Sequence, residues 1–300
     1  MTNKIKNTLL WSSKETLLLG ENPLWDASTD SLFFIDAADP AVYRLTGGVV
    51  QRFAMPKPVA SIFLTDADQL MVAMRNSFAE LSLLDGHLTD VGPVVPPSSE
   101  ERFNDGRCDA QGRIWISTMD RKLQSGIGSV TEVNAQYGCS SFKTGARLGN
   151  GVCFSPDGKW LYFSDTAQRA IFRFPLTEPG AMEAARELFV QLDEAPGRPD
   201  GCSIDSEGCL WSARVGGGRI DRYAPDGRLL GYLETPVSHP THCTFGGLDM
   251  RTLFVTSSRY PVTSTEFDQQ PHAGKLLAFE VDVQGLPEAR FHPAQRHIAA

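Results

Sequence analysis

No apolar run in these 300 residues is long enough to span a membrane. Met1 to Lys14 offers only Leu9-Leu10-Trp11, too short for the core of a secretory signal, so the sequence predicts no membrane partner and a cytoplasmic location. There is no basic cluster, and the formal charge is −8, which argues against nucleic acid as a partner. The six cysteines contain no C-x-x-C pair, and Cys108, Cys153 and Cys243 fall in or beside expected strands. They read as reduced core residues rather than disulfides or a zinc site. There is no linker and no low-complexity stretch; Pro96-Pro97-Ser98-Ser99 is a short loop, so residues 1–300 are expected to form a single domain. Helical composition is confined to Glu178–Leu192, where Pro179 and Gly180 weaken it. Gly216-Gly217-Gly218 has no helix after it and reads as a hairpin turn, not a phosphate loop. No Ser, Cys and His constellation for nucleophilic catalysis is apparent.

What the sequence does have is a repeat. Glu21, Ser61, Asn104, Asn150, Asp200 and Thr241 occupy the same point of six similar phrases, at intervals of 40, 43, 46, 50 and 41 residues. Four positions later the residue is usually apolar (Trp25, Cys108, Phe154, Ile204, Phe245). Five positions later it is Asp in four of the six, and eight later it is Gly in three. After each phrase comes a short run rich in aromatic and β-branched residues, such as Leu32–Ile35 or Trp160–Phe163. A second run often follows, as in Ala41–Leu45 and Ala170–Phe174. A period of this length made of small antiparallel sheets suits an all-β, six-bladed β-propeller, whose closed ring leaves no open end. The segment Thr16–Leu19 is expected to pair with the C-terminal blade and close it.

In a propeller the first strand of each blade lines the central channel, so six residues at one register converge on the axis. Two carboxylates, Glu21 and Asp200, would crowd two amides, Asn104 and Asn150. Burial and mutual repulsion make such a pair unfavourable unless a cation joins it. The offered ligands are all oxygens, which suits a hard ion such as Ca²⁺, Mg²⁺ or Mn²⁺. A hydrogen-bonded polar plug with water in the channel is the plainer reading, and spacing alone leaves it open.

Several segments resemble the SMP-30/gluconolactonase (regucalcin-like) family. They are Gly20–Asp26, Arg102-Phe103-Asn104-Asp105-Gly106-Arg107, Ser117-Thr118-Met119, Asn150-Gly151 with Ser155–Gly158, Pro199-Asp200-Gly201, Leu210-Trp211, Phe245-Gly246-Gly247 and Gln270–Gly274. The resemblance runs from Gly20 to about residue 281. It implies a six-bladed propeller that binds one divalent cation (Ca²⁺, Mg²⁺, Mn²⁺, Zn²⁺ or Fe²⁺) and hydrolyses sugar lactones. By the same resemblance the metal ligands fall on Glu21, Asn150 and Asp200, and the substrate contacts on Arg102 and Asn104. Where many relatives carry a glutamate after the Thr-Met pair, this chain has Asp120, which would take over that substrate contact or mark a different pocket. His242, in the last blade, is either a structural donor or a contact near the site. Glu100-Glu101 is read as a charged loop rather than a lid.

On this reading water is the nucleophile, Asp200 the general base, and a small-molecule sugar lactone the partner, in a monomer or weak homo-oligomer. Two alternatives stay open. One is a lactonase or phosphotriesterase acting on a non-sugar ester; the other is a metal- or sugar-binding propeller with no turnover.

Overall fold

The computed structural model describes residues 3–65, 68–92, 94–176, 179–260 and 269–294. Two short strands, β1 (Asn3–Lys4) and β2 (Thr8–Ser12), come first. The first blade is β3 (Gly20–Asp26), β4 (Ser31–Asp36), β5 (Ala41–Thr46) and β6 (Val49–Ala54). The second is β7 (Val59–Leu64), β8 (Gln69–Met74), β9 (Phe78–Ser82) and β10 (Leu88–Asp90). The third is β11 (Glu101–Cys108), β12 (Ile114–Asp120), β13 (Ser129–Val133) and β14 (Cys139–Lys143). The fourth is β15 (Gly149–Phe154), β16 (Trp160–Asp165), β17 (Ala170–Pro175) and β18 (Glu187–Gln191). The fifth is β19 (Arg198–Ile204), β20 (Leu210–Val215), β21 (Arg219–Tyr223) and β22 (Leu229–Glu234), with β1 added parallel to β22. The sixth is β23 (Pro240–Gly246), β24 (Thr252–Ser257) and β25 (Leu277–Glu280), completed by β2. The expected six-bladed propeller is therefore present, with the Gly216–Gly218 turn between β20 and β21.

Each sheet is covered on both faces, so alternate residues of one strand serve opposite neighbours. On β4, Phe33 and Ile35 pack with Ile62, Leu70 and Val72 of the second blade. Leu32 and Phe34 of the same strand turn the other way, to Phe254 and Ala278 of the sixth. Each of the six apolar clusters lies between two adjacent blades, and together they run around the ring.

Three recurring aspartates belong to the turns. Asp26, Asp109 and Asp205, five residues after the repeated position, accept backbone N–H groups of Ser28, Gln111 and Glu207. Asp109 and Asp205 also accept Nε1 of Trp115 and Trp211, each at 2.8 Å. Ser155 substitutes for them in the fourth blade, its Oγ accepting the Lys159 and Trp160 N–H groups.

Several expectations need correction. Of the expected helix Glu178 lies outside the described residues; among the described ones only Pro179–Met182 is α-helical, followed by a 3₁₀ turn at Glu183–Ala185, and Glu187–Gln191 is the edge strand β18. Phe172 and Ile171 across the ladder draw Leu188 and Val190 into extended backbone, and tertiary pairing overrides local composition. The closing strand is β2, pairing with β25; Thr16–Leu19 also joins the sixth blade, but through the Leu19–Ser258 bridge, the Leu17 N–H bond to Gly274 and the Leu18 carbonyl, which accepts from Ser258, Arg259 and Tyr260, and not as a strand. Glu101 is in β11, fully buried against Thr118 and Lys143, and is no surface loop. All six cysteines are free thiols; Cys139 is exposed, so it is not a core residue.

The ring is also laced near the axis. Thr241 Oγ1 donates to the Gly20 carbonyl at 2.5 Å, joining the sixth blade to the first. Thr241→Val keeps the shape and leaves that carbonyl unpaired. We expect a loss of about 1–3 kcal/mol in urea unfolding; an unchanged midpoint would show that the ring closes without this bond.

Candidate active site

Every inner strand carries one extra residue near its start. Glu21 to Leu24 advances three positions while the partner strand advances two, from Ile35 to Phe33. The same mismatch occurs at Phe103/Gly106, Asn150/Cys153 and Pro199/Cys202, and as two against one at Val59/Ser61 and Pro240/His242. Such bulges interrupt the ladder and re-aim side chains. In the first and fourth blades the residue after the repeated position is left-handed: Asn22 at φ 45° and Gly151 at φ 58°. Gly151 needs its missing side chain, since a Cβ there would lie 2.3 Å from Ser164 Oγ and 2.8 Å from the Asp200 carbonyl. Gly201 is constrained by space alone, a Cβ falling 2.0 Å from the His242 ring.

The uncharged residues of the repeat tie blade to blade. Ser61 Oγ donates to the Asn104 carbonyl at 2.8 Å. Asn104 Nδ2 donates to the Gly149 carbonyl at 2.9 Å and to Asn150 Oδ1 at 2.5 Å. Asn150 Nδ2 donates to Thr166 Oγ1 at 2.9 Å, which in turn donates to the Pro199 carbonyl. These bonds fix the Asn150 amide with its oxygen toward Asn104.

The two carboxylates are different. Burial drives the Glu21 carboxyl well above its ordinary range, and the charges of Asp200 and Asp105 push it further. Asp200 is raised in the same way, by burial first and then by Asp105. Only the following backbone N–H, of Asn22 and Gly201 respectively, offsets part of this.

Glu21, Asn104 and Asn150 line one cavity of about 270 Å³, together with Arg75, Arg102 and Asp105. Asp200 is not part of that lining, but its charge acts on Glu21. Arg102 Nη1 donates to the Phe103 carbonyl and to Asn104 Oδ1, each at 3.2 Å. Burial lowers Arg102 to about 10, helped by Arg75 and Arg121. The salt bridge to Glu100 or Glu101 that would make Arg102 a surface residue is absent among the described residues: Glu101 pairs instead with Lys143, at 2.9 Å.

Asp120 is not brought to this cavity. Its carboxylate accepts the N–H groups of Lys122, Gln124 and Ser125, which hold it below the usual range. Asp36 and Asp165, at the ends of β4 and β16, cap the matching turns. The expected substrate contact is thus a turn cap.

Asp105, next to Asn104, is the residue that sequence reasoning missed. It is buried; Val152 N–H reaches its Oδ2 at 3.0 Å and Asn22 Nδ2 its Oδ1 at 3.3 Å. His242 Nε2 lies 3.4 Å from that same oxygen. Burial alone would raise Asp105, but His242, the Val152 N–H and Arg107 together hold it below the usual range. His242, fully buried, is therefore a channel residue against Asp105 and not part of the cavity wall. Farther along the strand, Arg107 Nη1 pairs with Glu288 at 3.3 Å, both side chains 8% exposed. A second acidic group, Asp205 and Glu207 with Cys209, is neutralised by Arg222, whose Nη2 lies 2.7 Å from each carboxylate.

A family model described as SMP-30/Gluconolactonase/LRE-like region matches residues 19–259. The chain belongs to this family. Among its relatives, a 6-deoxy-6-sulfogluconolactonase of Pseudomonas putida is 34% identical over 96% of this chain and 99% of its own length. An L-arabinolactonase of Azospirillum brasilense is 32% identical, with 95% of each covered. The crystal structure of a calcium-binding protein, regucalcin, from Agrobacterium tumefaciens superposes with a TM-score of 0.86 at 27% identity, over 94% of this chain and 97% of that one. The motifs quoted from the sequence thus identified the family correctly.

The pKa directions have a consequence for stability. Both shifts are upward, so without a cation the folded protein keeps protons that the unfolded chain releases. The contribution of these two groups to stability is then greatest at low pH and is lost as pH rises, from about pH 4.5 upward. In chelator-treated protein the melting temperature should fall over that range, and Glu21→Gln should flatten the fall. A pH-independent melt in both would contradict the burial of these charges. Asp105→Ala should cost about 3 kcal/mol or more in urea unfolding, because it leaves buried donors and His242 without their acceptor; a loss under 1 kcal/mol would remove Asp105 from this role.

Proposed function

We propose that this protein is a sugar lactonase that opens the ring to the aldonic acid with one divalent cation bound by Glu21, Asn150 and Asp200. The observation that carries the reading is the pair of neighbouring carboxylates at the bulges, without side-chain donors among the described residues, beside the Arg102–Asn104 pair. The donor set fits a hard cation: it is all oxygen, the Asn150 oxygen keeps a free lone pair, and two charges would balance two. The calcium-binding relative and the two lactonases agree with it. A bound cation would polarise the lactone carbonyl and stabilise the oxyanion.

The chain's own residues do the remainder. Arg102 and Asn104 orient the ring through its oxygens. Asp200, ionised beside a cation, accepts the proton of the attacking water. The water oxygen bonds to the carbonyl carbon, the ring C–O bond breaks, and the ring oxygen leaves as a hydroxyl with a proton. The product acid then ionises, so each turnover releases one proton to solution.

That proton makes the test direct. A pH-indicator assay across several aldonolactones and divalent metals should show acid release. Asp200→Asn keeps a ligand oxygen but loses the proton acceptor, so kcat should fall about 10²–10⁴-fold. Elemental analysis should find its metal content reduced far less. Full activity in verified metal-free protein would reject the cation's role. Metal binding without acid release from any lactone would instead indicate a binding propeller.

A further inference from the structure

The lining of the cavity contains a charge that its floor does not explain. Arg75, just after β8, and Arg102, on β11, both border it. Among the described residues neither makes an ion pair, whereas Arg107, Arg113, Arg214 and Arg222 each pair with a carboxylate. This occurs in a chain with 36 acidic and 28 basic residues, where partners are plentiful.

Arg102 is the more costly of the two. Its two bonds to described residues both come from Nη1, so among the described residues the edge formed by Nε and Nη2 has no acceptor. That planar edge is the one that grips an oxyanion through two parallel hydrogen bonds. A guanidinium stripped of water and left without a counter-charge is unfavourable. The depressed pKa of Arg102, to about 10, reports that burial and the cationic neighbours Arg75 and Arg121. At neutral pH the group nevertheless stays charged. A neutral lactone offers it only hydroxyls.

Depth sets the direction. Arg102 is one amide removed from Asn150, through Asn104, while Arg75 is exposed at the rim. A ring whose carbonyl meets the Glu21–Asn150 floor would extend its remote carbon past Arg102 toward Arg75. We propose that the cavity selects sugar lactones bearing a fixed oxyanion, a sulfonate or phosphate, on the carbon remote from the lactone carbonyl, and that Arg75 and Arg102 together bind this group. The proposal rests on the lactonase reading for the orientation of the ring.

The stable open-chain acids test it without turnover. Calorimetric titration with gluconate, 6-phosphogluconate and 6-deoxy-6-sulfogluconate should show both acids that carry a second anionic group, the charged acids below, binding about 10-fold or more tighter than gluconate, whose one charge is its carboxylate. Added NaCl should erode that difference. Arg75→Gln should shrink it several-fold, and Arg75→Lys should restore part of it, with unchanged thermal melts. The ratio of kcat/KM for 6-phosphogluconolactone over gluconolactone should fall by the same factor in Arg75→Gln. Equal binding of gluconate and the charged acids by the unsubstituted protein overturns the proposal, as does a difference that Arg75→Gln leaves intact. Tight binding of the charged acids with no lactone hydrolysed would instead overturn the lactonase reading alone.

Discussion

A strand with one residue more than its neighbour cannot stay in register with it, and here that mismatch occurs six times in the same place. Each bulge releases backbone groups and side chains from the sheet close to the axis. Of the uncharged ones, Ser61, Asn104 and Thr241 find partners in the next blade, and Asn150 reaches it through Thr166 of its own blade. The carboxylates of Glu21 and Asp200 do not. The same local irregularity thus stitches the ring together and leaves two neighbouring acids with backbone donors alone among the described residues, which is why the site's chemistry follows from the fold's geometry.

Below that level the channel is occupied by protein. Asp105 stands against His242; Arg107 stands against Glu288, which also accepts Thr244 Oγ1 at 2.9 Å. Each of these two carboxylates therefore has a polar or charged side chain set against it. Glu288 comes from the C-terminal segment, which crosses the far ends of the inner strands. Its Phe291 N–H bonds the Leu64 carbonyl, and Gly285 bridges to Asp205.

The repeat made the blades, the axial register and the family legible, because a period near forty residues samples one structural position again and again. What the sequence hid followed from breaks in that regularity. Strict alternation places Asn104 and Asp105 on opposite faces; the bulge lets both serve the channel, so Asp105 escaped notice. Asp120 looked like a substrate contact because it follows a motif. Its equivalents Asp36 and Asp165, at matching strand ends, mark it as a turn cap, and the repeat already contained that comparison. The Arg107–Glu288 pair joins residues far apart in sequence, and Arg75 lies in no motif. Neither had a local signal. The closing strand was placed too late because Thr8–Ser12, with Leu9 and Trp11 partly exposed, reads weakly as an inner element.

Among the described residues, Asp105, His242, Arg107 and Glu288 lie below the cavity, while Arg75 stands exposed at its rim. An occupant that reaches the Glu21–Asn150 floor past Arg75 leaves past it as well. Arrival and departure are therefore sequential. An occupant lodged against Arg102 stands between the floor and bulk water, so anything held below it exchanges only after it has gone.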